Sequence, residues 1–200
     1  MKTGDVQVGD LRVRRTRMMI EKAFFELLQE RDFQAITVQD IADRAMVNRA
    51  TFYDHFTDKY MLFTTSARTM MRQTLESKLP AHFPYRVNNL QVLIVIVCEF
   101  VAQIDDTCRH KTVQGLPSFD EQVVELVSEL VSKWFAEERA GNPTNSPALI
   151  ADTASWAIYG AARHWSARKP RESVEVFAVR VAPMVSALVE QREIAESRLE

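Results

Sequence analysis

The sequence predicts an all-α protein: nine helices in two domains, a three-helix bundle followed by a larger helical domain. Three observations predict it. Glycine is only 5 of 200 residues and proline 7, too few for a turn-rich β fold. Apolar residues recur at i, i+3, i+4, i+7 in segment after segment, the stripe of an amphipathic helix. Hydrophobic residues are 46% and charged residues 26% of the chain, the balance of one substantial core or two small linked ones.

Residues 1–11 read as a flexible lead without the apolar run of a signal peptide. The first helix follows the basic cluster Arg12, Arg14, Arg15 and Arg17 and carries Ile20, Ala23, Phe24, Leu27 and Leu28. Thr37-Val-Gln-Asp40 is a capping-box start for a second helix with Val38, Ile41, Ala42 and Ala45 on its apolar side. Asn48 suits the N-cap of a short third helix, Arg49–Phe56. Thr57-Asp58 caps a fourth that runs to Leu79, before Pro80.

Beyond Pro84 the elements lengthen. Leu90–Ile104 is apolar and rich in β-branched residues. Val92–Val97 alone reads equally as a buried strand; its flanks and the lack of a partner strand favour a fifth helix. A short sixth helix falls at Cys108–Gln114. Pro117-Ser118 opens the seventh, with Val123, Val124, Val127, Leu130, Val131 and Trp134 in its stripe. Ser146-Pro147 opens the eighth, which ends before Pro170, and the ninth runs from Glu172 past Pro183.

Several chemistries lack their residues. There is no GxGxxG, GxxxxGK[ST] or GxSxG, so nucleotide-loop and α/β-hydrolase readings fall away. No nucleophile–base arrangement is legible, and adjacent acids such as Asp105-Asp106 and Glu137-Glu138 diverge on a helix, so no enzyme is expected. Cys98 and Cys108 are too few for a disulfide framework or a four-thiolate zinc site, and Cys108-Arg-His110 is too sparse for a metal centre; neither metal nor cofactor is expected. The run Val92–Cys98 is too short to cross a bilayer, which leaves a cytoplasmic protein with no membrane partner. A net charge of −2 does not exclude nucleic acid, because the footprint is set by local charge.

The first sixty residues carry the chemistry. Three short helices with a tight turn between the second and third form a helix-turn-helix layout, in which the third presents its start to a major groove. Asn48, Arg49 and Thr51 lie at that start, and Asn and Arg both make bidentate base contacts. Tyr53, His55 and Lys59 offer donors for phosphates. Thr37 and the amide end of the second helix offer another phosphate site, and Arg14 and Arg15 belong to an electrostatic arm.

The segment Thr37-Val-Gln-Asp-Ile-Ala-Asp-Arg-Ala-Met-Val-Asn-Arg-Ala-Thr-Phe-Tyr-Asp-His-Phe-Thr-Asp-Lys59 resembles the DNA-binding domain of the TetR/AcrR family of bacterial transcriptional regulators. The Thr-Val-x-x-Ile-Ala start, the Thr-Phe-Tyr of the third helix and the closing His-Phe-x-x-Lys carry the likeness over about residues 12–62. The resemblance implies a nine-helix, Ω-like dimer, with Tyr53, His55 and Lys59 on the DNA backbone and Asn48, Arg49, Ala50 and Thr51 at the bases. Residues 12–60 are then the DNA-binding domain and 61–200 the sensing and dimerisation domain. Where the family's turn often has Ala-Gly-Val, this chain has Ala45-Met46-Val47, so Met46 either takes a left-handed backbone or re-sets the turn.

The C-terminal half adds two expectations. The eighth and ninth helices are apolar on more than one face, which fits a homodimer interface of two helices from each copy; one buried hairpin in a monomer is the alternative. Met70, Phe100, Trp134, Tyr159 and His164 are candidates to line a pocket for a small apolar ligand. The expected function is a repressor on a palindromic double-stranded DNA operator, released by that ligand. In the rival reading the C-terminal half recruits a protein partner instead.

Overall fold

A computed structural model describes residues 4–107, 117–138 and 146–189. Among the described residues there are eight α-helices, one 3-10 turn and no strand. They are α1 (Gly4–Glu30), the turn Phe33–Ala35, α2 (Val38–Arg44), α3 (Arg49–Tyr53), α4 (Lys59–Lys78), α5 (Val87–Thr107), α6 (Pro117–Glu138), α7 (Pro147–Ala167) and α8 (Val174–Val189). The all-α class holds, with eight α-helices among the described residues where nine were expected of the whole chain. The expected sixth helix, with Cys108, lies outside the described residues. The expected eighth and ninth helices are therefore α7 and α8.

Two other expectations are corrected. The lead at 1–11 is helical from Gly4, because Val6–Leu11 contains no proline and continues the backbone of the arginine-bearing segment. The third helix stops at Tyr53 rather than Phe56, with Asp54 as its C-cap. The segment Val92–Val97 is helix, inside a 21-residue α5. That helix is long and apolar enough by composition to cross a bilayer, unlike the short run read from sequence, yet 56% of its most apolar window is buried inside the protein.

The described chain falls into two compact units. The first takes residues up to Ala67 together with Asp105–Thr107, and the second takes Arg68–Ile104 and the residues from Pro117 onward. The division falls within α4, not at its start. The reason is local: Leu62, Phe63 and Ala67 on the first half of α4 are fully buried in the first unit. Phe63 meets Phe24 and Phe33 edge-on, at ring centroids 6.3 and 5.9 Å apart.

In the first unit Ile20, Phe24, Leu27, Leu28, Phe33, Ile41, Phe52 and Phe56 form the core. Ion pairs fix its outside. Arg44 of α2 holds Glu30 of α1 through two hydrogen bonds, of 2.8 and 2.7 Å. In the second unit α4 is tied to α6: Arg68 donates to Gln122 and Glu129 at 2.9 Å and also to Glu125. The segment before α5 is anchored by aromatic groups. Trp134 donates its indole N–H to the Phe83 carbonyl at 2.5 Å, and the Tyr85 hydroxyl is hydrogen-bonded to Ser186 Oγ at 2.7 Å.

Candidate nucleic-acid interface

The site is built around the turn between α2 and α3. Ala45 N–H closes α2 onto the Ile41 carbonyl, and Val47 N–H returns to the Ala42 carbonyl at 2.9 Å. The chain achieves this by placing Met46 at φ 53°, in the left-handed region. A side chain there costs on the order of 1 kcal/mol, and Met46 recovers little by packing, since it is 86% exposed. The backbone therefore keeps the conformation a glycine would take.

Asn48 caps α3, its Oδ1 accepting the Ala50 N–H at 2.9 Å. The cap uses one lone pair of Oδ1 and leaves the exposed amide its second lone pair and both N–H groups. Arg49, Ala50 and Tyr53 are exposed along one side of α3, while Thr51 is half-buried and Phe52 fills the core behind. Arg49 Nη2 donates to the Tyr53 hydroxyl at 3.1 Å, and the guanidinium stands 5.6 Å from the Tyr53 ring centroid. His55 is half-buried with its ring 6.3 Å from that of Phe56.

Two expected phosphate ligands are otherwise engaged. Thr37 caps α2 in a complete capping box: its hydroxyl accepts the Asp40 N–H at 3.1 Å, and its own N–H and O–H both donate to Asp40 Oδ2, at 2.8 and 2.7 Å. Both donors are spent. Asp40 is paired also with Arg31, at 3.3 Å. The Thr37 hydroxyl bond, then the Thr37 N–H, hold the Asp40 carboxyl below its ordinary value of 3.8.

Lys59 is the other. Its ammonium donates to the carbonyls of Phe33, Gln34 and Ile36 at 2.8, 3.1 and 2.8 Å. An ammonium has three N–H groups, and these carbonyls engage all three. Burial holds it below the usual lysine value, and the Phe33 ring lies 4.8 Å away. Lys59 ties the start of α4 to the connection between α1 and α2.

Arg14 and Arg15 are exposed on α1. One turn on, Arg17 places its guanidinium 4.8 Å from the Phe56 ring centroid and binds Glu21 at 3.0 Å, which joins α1 to the segment after α3. Arg17 and Arg44 are the residues whose positioning role the sequence reading did not single out. The (i, i+4) spacing of Arg17 and Glu21 was the available signal; the Arg44 partners are too distant in sequence to have one.

The five pocket candidates differ in exposure. Phe100, Trp134 and Tyr159 are buried, with Tyr159 donating to Asp120 and Trp134 to Phe83. Met70 is half-buried and His164 is exposed on α7, which removes it as a polar anchor in the core. None of the described cavities is lined by any of the five. No cluster of metal-ligating residues occurs among the described residues. Cys98 is a buried thiol, pushed up to about 12 by burial and then by Glu99.

A capped helix, a tight left-handed turn and a second capped helix with an exposed, cationic start define a helix-turn-helix nucleic-acid-binding unit. Residues 20–64 match the model of the bacterial regulatory proteins of the tetR family. Over that segment the chain is similar to the TetR family of bacterial transcriptional regulators. Over 57 residues it is 46% identical to an uncharacterised HTH-type transcriptional regulator, YxbF, of Bacillus subtilis; the match spans 28% of this chain and only 15% of that relative. The fold is similar to that of a TetR transcriptional regulator from Streptococcus agalactiae, at 22% identity and a TM-score of 0.63, over 90% of this chain and 98% of the other. It is also similar to FadR from Bacillus subtilis, solved with stearoyl-CoA, at 17% identity and a TM-score of 0.57 over 88% and 99%. NalD, the secondary repressor of a Pseudomonas aeruginosa multidrug efflux pump, shares 19% identity and a TM-score of 0.55 over 86% and 96%.

Proposed function

We propose that the protein is a cytoplasmic repressor that binds a palindromic double-stranded DNA operator as a homodimer and is released by a small apolar ligand. The observation that carries the reading is the start of α3: Arg49 and Ala50 exposed beside a half-buried Thr51, on a helix whose N-cap is intact. Such a start reads bases while flanking groups grip phosphates. Selection from a random duplex pool with the purified protein tests it. An enriched inverted repeat is expected, with half-site centres roughly 34–36 Å apart or a multiple of that; no enriched repeat refutes it.

The dimer is proposed through α7 and α8. Leu149, Trp156, Val176, Val179 and Met184 are each at least 50% exposed, large apolar side chains left outside the protomer's core. A Cβ at Gly160, on the same helix as Trp156, would meet nothing within 4 Å. Own-chain packing thus does not require this glycine, whereas close approach of a second helix does.

For the ligand, the supporting cavity is a cleft of about 400 Å³ between α4 and α6, lined by Arg72, Leu75, Leu79, Phe83, Leu126 and Leu130 among others. α4 contributes residues to both units, so a ligand that displaces its second half acts on its first. A hundredfold loss of operator affinity requires roughly 2.7 kcal/mol of coupling. A panel of small apolar molecules in thermal-shift and operator-release assays tests this. The second reading, a C-terminal half that recruits a protein partner, is favoured by the satisfied packing of Phe100, Trp134 and Tyr159; it gains if no molecule of the panel both binds and releases DNA.

A further inference from the structure

We propose that Tyr53 is a specificity-positioning residue: it holds Arg49 for base reading and couples that reading to its own grip on a phosphate. The proposal rests on the DNA-binding reading above and adds a division of labour within α3. Arg49 is the first residue of α3 and exposed, and among the described residues the carboxylates of its unit pair with Arg17, Arg31 and Arg44 rather than with it. An unrestrained arginine at such a place carries rotamer entropy that binding must overcome. Here Tyr53, one turn on at i+4, receives its Nη2–H at 3.1 Å and lies under the guanidinium at 5.6 Å. Tyr53 is itself restrained, its ring perpendicular to buried Phe52 at 5.6 Å between centroids. The rigid core therefore reaches the base-reading cation through one aromatic ring.

The hydroxyl has a second capacity. A phenol oxygen accepts through its lone pairs and donates one O–H. Accepting from Arg49 leaves the O–H available, and accepting from a cation strengthens it as a donor to an anion. The chain Arg49–Tyr53–phosphate is thus continuous, with the base at one end and the backbone at the other. When Arg49 finds no acceptor on a wrong base, the geometry that favours the phosphate bond is lost with it. Tyr53 then discriminates between sequences without touching a base.

Tyr53 is 47% exposed, so Tyr53→Phe keeps the ring and the fold while removing both hydrogen bonds. The test measures binding by fluorescence anisotropy to the duplex selected from a random pool, and to random duplex, for wild type, Tyr53→Phe, Arg49→Ala and the double variant. Tyr53→Phe is expected to weaken the selected duplex about tenfold more than random duplex. In the Arg49→Ala background its effect on the two duplexes should become equal. Equal weakening of both duplexes by Tyr53→Phe with Arg49 present makes Tyr53 a plain phosphate ligand and overturns the coupling. Tighter binding of the selected duplex by Tyr53→Phe means that the tyrosine parks Arg49 away from DNA and also overturns it. A pool that yields no enriched duplex refutes the DNA-binding reading itself, and the coupling with it.

Discussion

Met46 and Lys59 show, at the scale of single residues, where the local rules bend to the site. Met46 holds φ 53° while exposed, so Met46→Gly relieves a left-handed side chain at the cost of some unfolded-state entropy. A net gain of about 0.5 kcal/mol is expected, read as a rise in thermal midpoint; an unchanged or lower midpoint would mean that the methionine is worth more than its exposure suggests. Lys59 gives the opposite case. Lys59→Met leaves the Phe33, Gln34 and Ile36 carbonyls without their shared donor and should cost about 2 kcal/mol of stability by denaturant titration. The salt dependence of DNA binding should keep its slope, since no ion pair with phosphate is lost; a slope reduced by about one would restore Lys59 to the DNA backbone. The sequence made the strain at Met46 legible, because the turn needed a small residue and met a large one. It could not show Lys59's partners, which lie 23 to 26 residues away and are main-chain atoms, invisible to any pattern of side chains.

Among the elements, α2 was the easiest to read and its cap the easiest to misread. Thr37 and Asp40 announce a capping box at the right spacing, and the box is complete. The same completeness engages both Thr37 donors in the cap. The Asp40 carboxyl is held below its ordinary value, so its contribution to stability is full above pH 3.8 and is lost as pH falls through the lower value of the folded state. Thr37→Ala should cost about 1 kcal/mol at pH 7. The cost should shrink as pH falls below 3.8, because Asp40 becomes protonated in both states and its charge no longer uses the Thr37 donors. Urea titrations of both proteins at pH 7 and pH 3 check this; a pH-independent difference would assign the loss to packing. Helix boundaries were legible where proline or a cap marks them, as at Pro147, and not at Gly4 or Phe56, where an unbroken polar stretch and an aromatic pair give no stop signal. The pocket candidates were ambiguous for a related reason. Aromatic and methionine residues at helical spacing are what a core also needs, and only the structure shows that Trp134 and Tyr159 already have their polar partners.

For the whole molecule the question is what covers the outer face of α7 and α8. Apolar residues on two sides of both helices were readable from the sequence, but not which side faces inward. The structure divides them: Val185 is buried within the protomer, while Val176, Val179 and Met184 are exposed. A charge at Val185 should therefore unfold the protein, as an unpaired buried charge does. A charge at Val179 should leave the protomer folded and separate the dimer, which moves the informative substitution from the first valine to the second. Gly160 sharpens the test. In an isolated protomer nothing restrains its replacement, and Gly160→Ala should then raise stability by about 1 kcal/mol through helix propensity alone. In a dimer with α7 packed closely against its mate, the added methyl group lies in the interface. Gly160→Leu should then weaken association more strongly still. Sedimentation at micromolar concentration distinguishes the cases. Wild type should run as a dimer, Val179→Glu and Gly160→Leu as folded monomers with unchanged helical circular dichroism, and both should bind the inverted repeat far more weakly than a single half-site's contacts account for in the dimer. A monomeric wild type stabilised by Gly160→Ala would instead leave the face of α7 and α8 to a different protein, and the partner-recruiting reading would take the place of the symmetric one.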